Sequence, residues 1–105
     1  MAEGDTKATL QLIQKDLNLP EADINLLMAP GMDQLHAYLS RAISELLDKD
    51  FNRLLVALYR IDVSEQKVAE AINKEAAGEI APRIATLIIE RELQKVITRK
   101  KYSGN

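Results

Sequence analysis

Apolar residues recur at three- and four-residue intervals along most of the chain, the spacing of helices with one buried face. Leu10, Ile13 and Leu17 form the first such stripe, behind Asp5 or Thr6 as a helix cap. Asn18 and Pro20 interrupt it. Pro20 suits the first turn of a second, short helix with Ile24, Leu27 and Met28 as its apolar stripe, and Pro30-Gly31 ends that element. Asp33 is placed to cap a third helix to about Leu47, with Met32, Leu35, Leu39, Ile43, Leu46 and Leu47 on one face. Asp48 or Asp50 restarts the chain as a fourth helix whose expected core face is Phe51, Leu54, Leu55, Leu58 and Ile61, with Arg53 and Arg60 opposite.

Ser64 is placed to cap a fifth helix, and Val63 and Val68 are spaced as a hydrophobic staple across its start. Val68, Ala71 and Ile72 are expected to point inward, and Ala76-Ala77-Gly78 supplies an ending. A sixth helix is expected from near Pro82 to about Lys101. Its apolar pattern changes face midway. Ile80, Ile84, Leu87 and Ile88 share one side, and Ile89, Leu93, Val96 and Ile97 share nearly the opposite one. The expected architecture is all-α, a compact bundle of five to six short helices with a longer C-terminal helix. At 105 residues the chain, 1–105, reads as one domain with loose ends at 1–4 and 102–105.

Composition narrows the function classes. No apolar stretch approaches the roughly 20 residues of a membrane span, and MAEGDTK has no basic region leading into a hydrophobic one, so a cytoplasmic protein is expected. The chain has no cysteine, which removes disulfides, thiolate nucleophiles and zinc–thiolate sites. Its single histidine, His36, sits at the edge of the third helix's apolar face, where a structural role is expected. The pairs Asp48/Asp50 and Glu90/Glu92 are two residues apart and do not face one another on a helix, so capping and solvation account for them. The four glycines are scattered and cradle no phosphate. The expectation is therefore no catalytic residue, no metal and no cofactor.

Charge divides the chain unevenly. The net charge of −2 combines an acidic body over residues 1–90 with a basic end over residues 91–105. Arg91, Lys95 and Arg99, with Lys100 and Lys101 beyond, form a basic ridge that is the candidate contact for an anion or nucleic acid. Cations near a helix C-terminus also complement its dipole. The four aliphatic residues Ile89, Leu93, Val96 and Ile97 need cover, from the N-terminal helices or from a second copy of the chain. They are the candidate interaction surface.

The segment from Ile61 through Asp62, Val63 and Ser64 to Val68 resembles the turn and second helix of helix-turn-helix DNA-binding domains, over residues 54–73. It departs from that pattern in carrying Asp62 where glycine is usual and Leu58 where a small residue is usual. Its second helix offers Glu65 and Glu70 beside Gln66, Lys67 and Lys74, a weak basis for phosphate neutralisation. Over residues 33–103, DFNRLLVALYRIDVSEQKV and LIIERELQKVITRKKYS look like short bacterial all-helical proteins, a resemblance that implies a bacterial cytoplasmic setting and no particular activity. The combined expectation is a small non-enzymatic interaction module that contacts a protein partner or itself, a homodimer, through the C-terminal helix. The alternative is a nucleic-acid-binding module using the helix-turn-helix unit or the basic ridge.

Overall fold

The computed structural model of the chain describes residues 3–19 and 31–102. Within them the elements are α1 (Glu3–Leu17), α2 (Met32–Lys49), α3 (Phe51–Ile61), α4 (Glu65–Lys74), a single 3-10 turn at Ala77–Glu79, and α5 (Ile80–Tyr102). The all-helical expectation holds, with a long C-terminal helix. The short helix expected after Pro20 lies outside the described residues. No helix among the described residues is long and apolar enough to cross a membrane.

Several boundaries follow from local chemistry. Asp50 caps α3, its Oδ1 accepting from the Arg53 backbone N–H at 3.1 Å, and Ser64 caps α4, its Oγ accepting from the Lys67 N–H at 3.3 Å. Asp33 does not cap α2. Gly31 holds the cap position, and the Gln34 side chain accepts from the Gly31 N–H at 3.2 Å. Asp5 and Thr6 likewise fall inside the first helix, which already begins at Glu3.

The corner between α3 and α4 is made by Asp62, which adopts the left-handed conformation at φ 69° and ψ 47°. The Asp62 N–H donates to the Tyr59 carbonyl and the Val63 N–H to the Leu58 carbonyl, the paired bonds of a Schellman ending. Aspartate tolerates this backbone better than most residues because its short polar side chain interacts locally. Val63 and Val68 on either side of the cap both join the core.

The long helix α5 is the hub, packed against the four other helices among the described residues. Its most extensive neighbours are α2, through Leu35, Leu39, Ile43 and Leu46, and α1, through the face that carries Leu10, Ile13 and Leu17. α1 runs antiparallel to the C-terminal half of α5, since Asp5 pairs with Lys100 near one end while Asp16 lies beside Glu92 near the other. The far end of α1 is fastened by Arg53 of α3, whose guanidinium donates to the Leu17 and Asn18 carbonyls at 2.9 and 2.7 Å. A cation there satisfies carbonyls that the helix leaves unpaired and complements its dipole.

α3 departs from the expected core face. Leu54, Ala57, Leu58 and Ile61 are buried, whereas Phe51 and Leu55 are 41% and 42% exposed. The apolar residues of this helix span more of its circumference than its neighbours cover. Ala57, small enough to admit a neighbouring helix closely, turns the inner face away from Leu55.

This division separates two adjacent leucines. Leu54→Ala is expected to cost about 2–5 kcal/mol, as a buried large-to-small change does, and Leu55→Ala less than about 1 kcal/mol. Urea midpoints of the two variants measure the difference, and similar losses at both positions would contradict the placement of α3.

Candidate functional site

Two places on the molecule carry features that packing alone does not explain: the buried carboxylate on α5 and the apolar outer face of α3.

Glu92 is fully buried, in the middle of the arc of α5 that also buries Ile88, Ala85 and Val96. The pairing of Glu90 with Glu92 as two solvated residues is therefore corrected: Glu90 is exposed and Glu92 is not. Neither carboxyl oxygen of Glu92 reaches a hydrogen-bond partner at full geometry. The Lys95 ammonium lies 3.6 Å from its Oε1, one turn along the same helix, and the Asp16 carboxyl of α1 lies close by. Burial pushes the Glu92 carboxyl up from 4.5 to about 7; the neighbouring Asp16 carboxyl adds to the rise, and Lys95 opposes it. Glu92 lies across the α1–α5 contact and belongs to the packing of that pair.

The basic ridge is largely taken up within the chain. Arg91 donates to the Asp62 backbone carbonyl and carboxylate at 3.3 and 3.4 Å, and to Gln94 at 3.2 Å. Lys95 pairs with Glu92, and Lys100 with Asp5. Arg99 and Lys101 are exposed and have no ion-pair partner among the described residues. The ridge thus ties α5 to the α3–α4 corner and to α1, leaving two cations at its end.

The second apolar face of α5 is also mostly covered. Ile89 and Val96 are buried, Leu93 is half-buried, and Ile97 is 51% exposed. Cover comes from the same chain, so little of this face remains for a second copy. His36 is half-buried on α2, with Nε2 2.9 Å from the Pro82 carbonyl and 3.0 Å from Thr86 Oγ1, a link between α2 and α5. Beside it a small recess of about 310 Å³ is lined by Met32, Ile89 and Leu93, with Asp33 and Glu90 at its edge. Among the described residues no group of three or more His, Cys, Asp or Glu is placed to hold a metal ion.

Among the described residues the main run of exposed large apolar side chains lies on α3. Phe51, Leu55 and Tyr59 follow one another at four-residue steps, and Val56 sits beside them, with Tyr59 80% and Val56 51% exposed. Next to this stripe a groove of about 660 Å³ runs between α3 and α4, floored by Leu58, Val63 and Val68 and walled by Leu55, Tyr59, Ala69 and Ile72. Asp62, Ser64 and Glu65 complete its lining. Sequence reasoning assigned Phe51 and Leu55 to the core and left Tyr59 and Val56 unremarked. The available signal was the four-residue spacing of Phe51, Leu55 and Tyr59, outside the arc that Leu54, Leu58 and Ile61 define.

Comparison of the chain with protein-family models, with curated proteins and with solved structures finds no match in any of the three.

The buried acid has a pH signature. Glu92 has a higher pKa folded than unfolded, so its stabilising neutral form is fully retained below pH 4.5. The cost of ionisation grows as pH rises from 4.5 to about 7 and is constant above that. A shift of this size corresponds to roughly 3 kcal/mol. Glu92→Gln, which cannot ionise, is expected to gain stability relative to the parent chain as pH rises from 5 to 8. Chemical denaturation at the two pH values reads this difference, and a gap that stays constant would show that Glu92 ionises as an ordinary surface acid.

Proposed function

We propose that this chain is a small non-enzymatic interaction module that binds a partner protein through the outer face of α3 and the groove between α3 and α4. The observation that carries this reading is the exposed apolar stripe Phe51, Leu55, Val56 and Tyr59 beside an apolar groove. Proteins that act alone seldom leave contiguous apolar surface in water, and such patches mark places where another surface docks. The groups that carry chemistry are engaged in holding helices together: His36 joins α2 to α5, and Glu92 lies in the α1–α5 contact. This surface replaces the C-terminal helix as the favoured contact, because three of its four candidate residues are wholly or partly covered. A bacterial cytoplasm remains the proposed setting, with the cysteine-free composition in keeping with it.

A second reading, nucleic-acid binding, is favoured by the corner at Asp62, whose left-handed turn and following Ser64 cap form a helix-turn-helix-like junction. It is opposed by the internal pairing of Arg91, Lys95 and Lys100. Salt-sensitive retention on DNA or RNA that falls when Arg99 and Lys101 are neutralised would support it, and no retention at low salt would remove it.

The docking reading is tested with a photo-crosslinking residue placed at Tyr59, and as a control at Lys74 on the exposed side of α4 away from the groove. Crosslinking in cells is expected to give a discrete adduct from position 59, none from position 74, and loss of the adduct on Leu55→Asp with helix content unchanged. Equal labelling from both positions, or none from position 59, would contradict it.

A further inference from the structure

We infer that the occupant of the α3–α4 groove is an amphipathic helix of a different protein, with apolar anchors three or four residues apart and a lysine- or arginine-bearing flank. The inference rests on the docking reading above and adds the chemistry of the partner. A groove between two helices with apolar walls is the shape that receives the apolar stripe of a third.

The charges around this groove have one sign. Its only charged lining residues are Asp62 and Glu65. Asp62 is held by Arg91 from behind yet stays largely exposed, and Glu65 is exposed with no ion-pair partner among the described residues. The cations of α4, Lys67 and Lys74, lie about 140–180° around the helix from Glu65 and Ala69 and face away from the groove. At the other end of the exposed stripe stand Asp48 and Asp50, both exposed, with the exposed Lys49 between them, a net charge of −1. A ligand spanning the stripe therefore meets its strongest acid at the groove end, at Glu65 and Asp62, and a weaker net negative charge at the other, and a cationic flank complements it.

The same charges argue against a second copy as occupant. Among the described residues the exposed large apolar side chains are the four on α3 and Ile97. A second copy would have to present its own α3 face or the lone Ile97. If two α3 helices pack antiparallel about a two-fold axis, Asp62 and Glu65 of one meet the turn Asp48-Lys49-Asp50 of the other, which is net negative. If they pack parallel, Asp62 meets Asp62. Either arrangement sets carboxylate against carboxylate, a cost that a basic partner helix avoids.

The experiment uses the full chain and two designed helical peptides with the same leucine stripe, one flanked by lysine and the other by glutamate. Binding is read by fluorescence anisotropy, and the site by amide chemical-shift changes. The lysine peptide is expected to bind about tenfold more tightly, as several solvent-exposed rim charges together allow, with shifts centred on Leu55, Tyr59 and Ile72. High salt is expected to narrow the preference, and Glu65→Lys to narrow or reverse it, with Glu65→Gln intermediate. Equal binding of both peptides in the groove would overturn the charge inference while leaving the docking surface standing. Failure of both to bind would remove the docking surface and this inference together. Sedimentation showing a dimer that Leu55→Asp dissociates would overturn it in favour of a second copy.

Discussion

The fold depends on the coverage of α5. This helix carries aliphatic residues around more than half of its circumference, from Leu87 through Ile84, Ile88 and Ala85 to Ile89, and no single neighbour can bury such an arc. Each aliphatic side chain removed from water contributes about 1.5–3 kcal/mol, so every exposed sector of the arc recruits its own partner helix. α2 and α1 take the largest sectors, and α3 and α4 take the rest. The ion pairs of the basic ridge sit at the margins of these contacts: Arg91 reaches the corner at Asp62, and Lys100 reaches Asp5. Pairs open to water on one side add little stability, so the aliphatic contacts rather than the ion pairs carry the packing.

Glu92 makes the α1–α5 contact costlier than an apolar one would be. A carboxyl without hydrogen bonds in the centre of a helix contact is destabilising when ionised, and Lys95 relieves only part of that cost. The compensation is the apolar surface of Leu10, Ile13 and Leu17 on the facing helix, together with the Arg53 clamp on its C-terminal carbonyls. α1 is thus held at its two ends by polar contacts and along its length by aliphatic packing, with an acid between them. α3, which fastens that helix through Arg53, is held by its inner residues and leaves an apolar stripe in water. The first feature concerns how the fold is maintained, and the second what it offers to a partner.

Much of the architecture was legible in the sequence because helical periodicity is a local property. The stripe Leu35, Leu39, Ile43 and Leu46, the caps at Asp50 and Ser64, and the ending at Asp62 all depend on residues within a turn or two of one another. The change of apolar face in the last helix was equally legible, but its meaning was not: whether Ile89 and Val96 meet helices of the same chain or a second copy is decided by tertiary placement. The same limit hid Arg53, whose partners lie 35 and 36 residues away in sequence. It also assigned Phe51 and Leu55 to the core, because a wide apolar arc does not say which part its neighbours reach. Glu92 was the more readable omission, since it falls between Ile88 and Val96 on the same side of one helix.

The central claim is that the chain covers most of the second apolar face of α5 with its own helices, α1 and the start of α2. Amide hydrogen exchange of α1 and of residues 89–97, followed over a wide range of protein concentration, tests it most directly. The account predicts that both segments are protected in dilute solution and that their protection does not change with concentration. Protection that is absent when dilute and rises with concentration would mean that a second copy supplies the cover, and would contradict it.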